Sequence, residues 1–185
     1  MKVLAIVGSR NPEGQTARAV AALAEGVQAA GGEVETIFLP TLAIERCHQC
    51  NAQGWGGCRA HGRCSGADDD FAAVVDKIRA ADAAVFATPV YWSDLSESMR
   101  AFTDRLRRIC THADGKAGIA GKQAIGVCVA GGGGGGAPHC TVSLERVLQT
   151  CGFDLIDSVP VRRQNLSFKL GVLRETGRWL AGGGQ

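Results

Sequence analysis

The segment of residues 83–109 constrains the fold more than any other part of the chain. It begins with the apolar run Ala83-Ala84-Val85-Phe86-Ala87 and continues through the aromatic turn Pro89-Val90-Tyr91-Trp92. A short continuous apolar run is typical of a parallel strand that is covered on both faces. After the turn, apolar positions recur at helical spacing and predict one buried helix stripe. These positions are Leu95, Met99, Phe102, Leu106 and Ile109. The segment therefore predicts a strand, a turn and a helix.

The rest of the chain repeats this alternation of strand and helix. Strands are predicted at residues 2–7, 33–39, 83–87, 123–130 and 153–161, and a helical pattern accompanies each of them. Five such units without internal repeats or a linker predict an α/β protein with a doubly wound, five-stranded parallel sheet. We expect a single domain over residues 1–185. An irregular segment at residues 40–66, inserted after the second strand, holds four cysteines.

Composition excludes several classes of function. The chain has 185 residues, of which 45% are apolar, and its formal net charge is only +2. No long basic run favours nucleic-acid binding, and no apolar stretch approaches the roughly 20 residues of a membrane helix. The apolar start at residues 1–8 is too short for a signal peptide. We therefore expect a cytoplasmic protein without a nucleic-acid or membrane partner. In that compartment, eight cysteines are more often thiols or metal ligands than disulfides.

The first strand runs into a loop that can bind an anion. The loop reads Gly8-Ser9-Arg10-Asn11-Pro12-Glu13-Gly14-Gln15-Thr16, and a helix follows. Free backbone N–H groups at a helix start attract negative charge. The loop is not G-x-x-x-x-G-K-[ST], because Gln15 replaces the lysine, and it lacks the second glycine of G-x-G-x-x-G. Its neutral donors suit a terminal monophosphate, although an ordinary capped turn has the same appearance.

The aromatic turn indicates what kind of molecule would carry the phosphate. Tyr91 and Trp92 follow the carboxyl end of a strand, where open α/β sheets bind ligands. Two adjacent aromatic rings in an exposed turn are unfavourable for solubility. A flat aromatic cofactor lying against them would explain their presence.

Three segments resemble the motifs of one family. Gly8-Ser9…Gly14-Gln15-Thr16 is similar to the loop G-S-P-R-x-G-G-N-T, Thr88-Pro89-Val90-Tyr91-Trp92 to the turn S-P-V-Y-F, and Ala101-Phe102-Thr103-Asp104-Arg105 to A-F-x-D-R. These motifs belong to the flavodoxin-like NADPH-dependent FMN reductase family, in particular to its iron–sulfur flavoprotein branch. The resemblance covers residues 2 to about 161 and implies a flavodoxin-like fold.

The resemblance also implies a cofactor and its site. FMN is expected with its phosphate on residues 9–17, its ring on the aromatic turn, and the glycine run at residues 131–136 along the ring edge. Glycine lets a backbone approach a flat ring closely. The expected FMN residues are Ser9, Asn11, Gly14, Gln15, Thr16, Ala17, Pro89, Val90, Tyr91, Trp92, Gly131, Gly132 and Gly133. NAD(P)H as reductant and a homodimer or homotetramer follow from the same resemblance.

The cysteines of residues 40–66 form the pattern C-x2-C-x7-C-x5-C. Cys47, Cys50, Cys58 and Cys64 place four thiols within 18 residues, which indicates a metal site. The family's motif is C-x2-C-x2-C with a fourth cysteine, and Gln53 stands here in the place of the third. Three interpretations remain open. They are an iron–sulfur cluster, a four-cysteine zinc site and four free thiols.

The combined expectation is an FMN-dependent oxidoreductase. It would transfer reducing equivalents from NAD(P)H to a flavin, a quinone or a similar acceptor. Because a flavin carries this chemistry itself, no catalytic side chain is expected. One alternative is a non-enzymatic electron-transfer flavoprotein that relays electrons between FMN, an iron–sulfur cluster and partner proteins. Another is a metal-stabilised binding module without flavin.

Overall fold

A computed structural model describes residues 1–183, which form a single domain around one parallel sheet. The strands are β1 (Lys2–Val7), β2 (Glu33–Phe38), β3 (Ala83–Pro89), β4 (Gln123–Ala130) and β5 (Asp154–Arg162). Their order is β2-β1-β3-β4-β5, and every neighbouring pair is parallel. The order reverses direction between β1 and β3, which is the switch point of a flavodoxin-like sheet. The predicted five-stranded fold is confirmed.

Helices cover both faces of this sheet. They are α1 (Gln15–Ala29), α2 (Gly57–His61), α3 (Phe71–Ala80), α4 (Glu97–Ile109), α5 (Ala113–Lys116), α6 (Ala137–Cys151) and α7 (Leu166–Ala181). The short helices α2 and α5 were not predicted, and α2 lies within the cysteine-bearing segment. Over residues 1–183, no helix has the length and apolar character needed to cross a membrane.

The core lies in two layers because strand residues alternate between the faces of the sheet. In β1, Val3 and Val7 pack on the side of α1 and α7, whereas Leu4 and Ile6 pack on the side of α3, α4 and α6. The cysteines outside the 40–66 segment are fully buried, as predicted for small core residues. These are Cys110, Cys128, Cys140 and Cys151.

Strand register brings three chain segments to one edge of the sheet. Val7 at the end of β1 pairs with Ala87 in β3, and Pro89 at the end of β3 pairs with Val129 in β4. Parallel strands present their carboxyl ends at the same edge. The loop after β1, the aromatic turn and the glycine run therefore meet there.

Candidate functional site

The start of α1 offers unsatisfied backbone donors. Gly14 precedes the helix and provides no side-chain cap, and the first N–H bonded to it is that of Arg18, at 2.9 Å from the Gly14 oxygen. The N–H groups of residues 15–17 have no acceptor among the described residues. Asn11 shapes the preceding loop, since its Oδ1 accepts from the Glu13 N–H at 2.9 Å. The helix dipole and these free N–H groups make an anion site.

A cavity of about 500 Å³ opens over the carboxyl ends of β1, β3 and β4, and we call it the edge cavity. Its wall consists of Ser9, Asn11, Gly14, Gln15, Thr16, Pro89, Val90, Tyr91, Val129, Ala130, Gly131, Gly132 and Gly135. The free donors of α1 lie at one end, and the aromatic turn and glycine run form the remainder. None of these lining residues is ionisable except Tyr91. The cavity therefore offers an anion-binding end without a competing carboxylate.

Ten of the thirteen residues predicted for FMN lie on this wall. The side chain of Ala17 is buried inside α1, which leaves only its backbone N–H available. Trp92 points fully into solvent. The Gly133 oxygen accepts a hydrogen bond from Gln164 Nε2 at 2.9 Å. These three residues are therefore not brought onto the wall.

Three wall residues were missed by sequence reasoning. They are Val129, Ala130 and Gly135. The available signal was positional, because the last residues of a strand predicted at 123–130 must lie beside the end of β3. The pairing of Val129 with Pro89 shows this neighbourhood.

A buried polar atom on the wall lacks a partner. Gln15 Oε1 is buried and accepts no hydrogen bond from the protein. Leaving such an atom unsatisfied costs about 1–3 kcal/mol. A ligand that places a hydroxyl donor in the edge cavity removes this cost. The atom therefore supports a ligand with hydroxyl groups next to its anionic end.

The aromatic turn holds an unusual backbone. Tyr91 and Asp94 exchange two backbone hydrogen bonds of 2.9 and 3.0 Å, and Trp92 and Ser93 between them have φ angles of 51° and 65°. Positive φ is uncommon for residues other than glycine. Gly136 packs against the turn so closely that a Cβ there would lie 2.6 Å from Ser93 Oγ. This conformation directs Tyr91 to the edge cavity and Trp92 away from it.

Ser96 fastens the aromatic turn to the anion-binding loop. It precedes α4, and its Oγ accepts from the Met99 N–H at 3.4 Å and donates to the Gly8 oxygen at 2.8 Å. Its own N–H donates to Thr88 Oγ1 at 3.0 Å. Ser96 and Thr88 are buried. The two ends of the edge cavity are thus held at a fixed separation.

Replacing Gly8 by Ala is expected to destabilise the protein. A Cβ at Gly8 would lie 2.5 Å from Ser96 Oγ and 3.0 Å from Met99 Cβ. Such overpacking typically costs about 1–3 kcal/mol, and equilibrium unfolding in urea measures it. Gly171→Ala is the matched control, because nothing lies within 4 Å of a Cβ at that helical position. Equal stability of the two variants would contradict the close contact.

The four predicted metal ligands surround one small cavity. Cys47, Cys50, Cys58 and Cys64 all line it, its volume is about 20 Å³, and we call it the cysteine cavity. That volume holds roughly one water molecule. Within residues 1–183, no three His, Cys, Asp or Glu side chains stand so that they could hold a metal ion. The structure groups the four cysteines without closing them around an ion, and the metal site stays a prediction.

A buried ion pair next to these cysteines was not predicted. Arg105 and Asp69 are 2% and 3% exposed, and the Arg105 fork donates to both carboxylate oxygens at 2.5 and 2.9 Å. Arg105 Nε also donates to Cys64 Sγ at 3.3 Å. The available signal was helical spacing, since Arg105 follows the buried Phe102 by three residues and therefore lies on the buried side of α4.

Asp69 is expected to make stability depend on pH in the acid range. Burial raises the pKa of Asp69, but hydrogen bonds from Arg105 and from the N–H groups of Glu45 and Phe71 outweigh it. The pKa in the folded protein therefore lies below the ordinary value of 3.8. The contribution is complete above that value and is lost as pH falls through the lower folded pKa. Thermal unfolding between pH 5 and 2 should show this loss, and Asp69→Asn should flatten the pH dependence of the unfolding temperature in that range.

Comparison with known proteins agrees with this architecture. An iron-sulfur flavoprotein from Methanocaldococcus jannaschii is 30% identical over 132 residues, which cover 71% of this chain and 65% of that protein. One from Archaeoglobus fulgidus is 35% identical over 107 residues, 58% of this chain and 49% of that protein. The matched region therefore spans about half to two thirds of the length of these curated relatives.

Solved structures share the fold over almost the whole chain. The NAD(P)H:quinone oxidoreductase from Methanothermobacter marburgensis superimposes with a TM-score of 0.71 at 21% identity, covering 97% of this chain and 96% of that one. A flavone reductase gives 0.70 at 22% identity, covering 100% and 63%. The sequence model of the NADPH-dependent FMN reductase family matches residues 1–172. The chain belongs to the NADPH-dependent FMN reductase family.

Proposed function

We propose that this protein is an FMN-dependent oxidoreductase that transfers reducing equivalents from NAD(P)H to a flavin, a quinone or a similar acceptor. The edge cavity is the observation that carries this proposal. It combines free N–H donors, an unpartnered buried amide oxygen and an aromatic side chain on one wall. Family membership supports the same cofactor. We take residues 1–185 as one FMN-binding domain, of which residues 184 and 185 lie outside the part that the structure describes.

The residues present fit FMN. The N–H groups of residues 15–17 and the hydroxyl groups of Ser9 and Thr16 would bind the phosphate. Gln15 Oε1 would accept a hydrogen bond from a ribityl hydroxyl. Tyr91 and the glycine run would enclose the ring. Bound FMN supplies hydride and electron transfer, so that the protein needs to contribute only binding, orientation and shielding.

Flavin binding and reduction test the proposal together. Apoprotein is titrated with FMN and, as the control, with riboflavin, which lacks the phosphate. The FMN complex is then mixed with NADPH or NADH in the absence of oxygen. A quinone is added afterwards as the electron acceptor. We expect preferential binding of FMN, rapid bleaching of the flavin and reduction of the quinone. Equal affinity for riboflavin contradicts the phosphate site, and an FMN complex that NAD(P)H does not reduce contradicts the reductase.

The cysteine cavity favours a second candidate function, electron transfer through a metal centre. Four thiols around one cavity are the ligand type of iron–sulfur clusters, and the curated relatives carry iron–sulfur in their names. The donor chemistry fits such a group, whereas the small cavity requires residues 40–66 to rearrange around it. A zinc ion is the less favoured occupant of this site. Flavin reduction only through a reduced partner protein would favour the carrier function.

We also propose a homodimer or homotetramer in the cytoplasm. Trp92 is fully exposed beside the edge cavity, where a second subunit could cover it. Eight cysteines suit a reducing compartment. Light scattering at micromolar protein is expected to give at least twice the 19.3 kDa of one chain. A monomer, or an unchanged mass distribution in Trp92→Ser, would contradict an interface at Trp92.

A further inference from the structure

Arg105 is a charged residue placed where a charge is costly. It lies in the third turn of α4 and only 2% of its side chain is exposed. Burying a guanidinium costs several kcal/mol unless its N–H groups are satisfied. On the same helix, Arg107 remains 44% exposed and pairs with Asp104 at 3.2 Å. The burial of Arg105 is therefore specific to its position.

The partners of Arg105 lie at both ends of the cysteine-bearing segment. Its Nη1 donates to the Glu45 oxygen at 3.1 Å, just before the first cysteine. The Asp69 carboxylate, five residues after the last cysteine, accepts two hydrogen bonds from the guanidinium. The guanidinium also lies 4.2 Å from the centre of the Phe71 ring. These contacts tie the two ends of residues 45–69 to one side chain. They leave the N–H on Nε for Cys64 Sγ.

The middle of the segment is held less directly. Arg108 donates to the Gly54 oxygen at 2.8 Å and lies 4.6 Å from the Trp55 ring centre. Cys50 is exposed and Cys47 is only partly buried. Cys58 is buried. None of these three sulfurs accepts a hydrogen bond from a donor among the described residues. Cys64 is thus the one of the four thiols that the present structure already fixes through an N–H bond to its sulfur.

We propose that Arg105 is the positioning residue of the cysteine cavity, where it fixes Cys64 as the preset ligand and donates one N–H bond to its sulfur. The proposal rests on the metal centre considered as the second candidate function. Residues 47–58 would rearrange around a centre that is anchored at Cys64. Hydrogen bonds to ligand sulfurs stabilise the reduced, more negative form of such a centre. Arg105 is therefore expected to raise its reduction potential.

α4 connects this role to the edge cavity. Ser96, at the start of α4, donates a hydrogen bond to the Gly8 oxygen. Nine residues later, Arg105 donates one to Cys64 Sγ. At 1.5 Å per residue, the two attachment points are about 14 Å apart along the helix. One rigid element thus supports both the flavin site and the cysteine cavity.

The test compares three variants of anaerobically purified protein reconstituted with ferrous iron and sulfide. Arg105→Lys keeps a charge near Asp69 but removes the N–H bond to Cys64. Asp69→Asn loosens the anchor and keeps that N–H. Arg107→Lys is the matched control on the exposed side of α4. Flavin content and thermal unfolding verify that each variant folds, and iron per flavin and the midpoint potential of the iron centre are measured.

We expect Arg105→Lys to lose at least half of its iron and to shift the potential of the remainder to a lower value. Asp69→Asn should lose iron without that shift, and Arg107→Lys should resemble the wild type. Wild-type potential in Arg105→Lys as well as in Asp69→Asn would show that the N–H bond from Arg105 to Cys64 does not act on the metal centre, and it would overturn the proposal.

A protein that takes up no iron at all separates the two hypotheses. The metal centre would then fail, whereas the anchoring role of Arg105 is read from hydrogen exchange of the metal-free protein. Faster exchange at residues 45–69 in Arg105→Lys, but not in Arg107→Lys, supports the anchor. Equal exchange in both variants overturns it.

Discussion

Replacing Thr16 by Glu is expected to abolish retention of FMN. Thr16 lies on the wall of the edge cavity at the start of α1 and is 4% exposed. A carboxylate there would face the flavin phosphate at close range. Two like charges about 4 Å apart repel by roughly 4 kcal/mol at a protein surface, which corresponds to about three orders of magnitude in affinity. Fluorescence titration of the apoprotein with FMN measures the loss.

Two variants separate charge at the phosphate site from general damage. Ala21→Glu adds the same charge to an exposed position of α1 and should bind FMN normally. Ser9→Asp brings a carboxylate to the cavity from a partly exposed position and should also lose FMN, without the burden of a buried glutamate. If Thr16→Glu and Ser9→Asp both fold and bind FMN with wild-type affinity, the phosphate does not lie at α1.

The sheet was predictable because most of its strands are short apolar runs that can be recognised from neighbouring residues alone. The bounds of β1 and β4 agree with the predicted ranges 2–7 and 123–130, since both are continuous apolar runs. The end of β3 was predicted too early. Thr88 and Pro89 continue the strand only because they pair with Cys128 and Val129 of β4, and a partner strand cannot be seen in a local pattern.

The sequence predicted an irregular cysteine-bearing segment but not its internal structure, because tertiary contacts determine that structure. The helix α2 at Gly57–His61 has no apolar periodicity, and its only buried residue is Cys58. Arg105 bonds to residues 36, 41 and 60 positions away in the chain. Helical spacing places a side chain on the buried face of a helix, but it does not identify partners at such separations.

The edge cavity could be predicted from the sequence only in part. Its phosphate end follows from local chemistry, namely a glycine loop with neutral donors before a helix. The position of Trp92 could not be derived in the same way, because it depends on two positive φ angles that Gly136 and the turn hydrogen bonds hold in place. A turn sequence with no glycine at its centre gives no warning of such a backbone.

Removing metal from the protein is expected to expose residues 40–66 to protease and to leave the flavin bound. The segment is rich in glycine and polar residues, and its cysteine cavity has about 20 Å³. Cys58 is its one buried apolar side chain, whereas Leu42, Ile44, Trp55 and Cys64 are only partly buried against the core. Metal binding would therefore add to the order of the segment, at the cost of deprotonating the thiols. Most of the core is formed by residues of the strands and long helices outside this segment. Limited proteolysis with and without chelator, performed without oxygen and followed by flavin absorbance, measures both effects.

Single substitutions identify the ligands independently of the chelator. Replacing Cys47, Cys50, Cys58 or Cys64 by Ser should lower metal content by a similar degree, by at least half in each case, because one centre needs all four thiolates. Cys128→Ala is the control, since that thiol is fully buried in β4, outside the segment. Metal-free protein whose segment is already protected, with four thiols that alkylate readily, would contradict a metal site. Gln53 would then mark the position at which this chain departs from the compact cysteine motif of the iron–sulfur flavoproteins that it resembles.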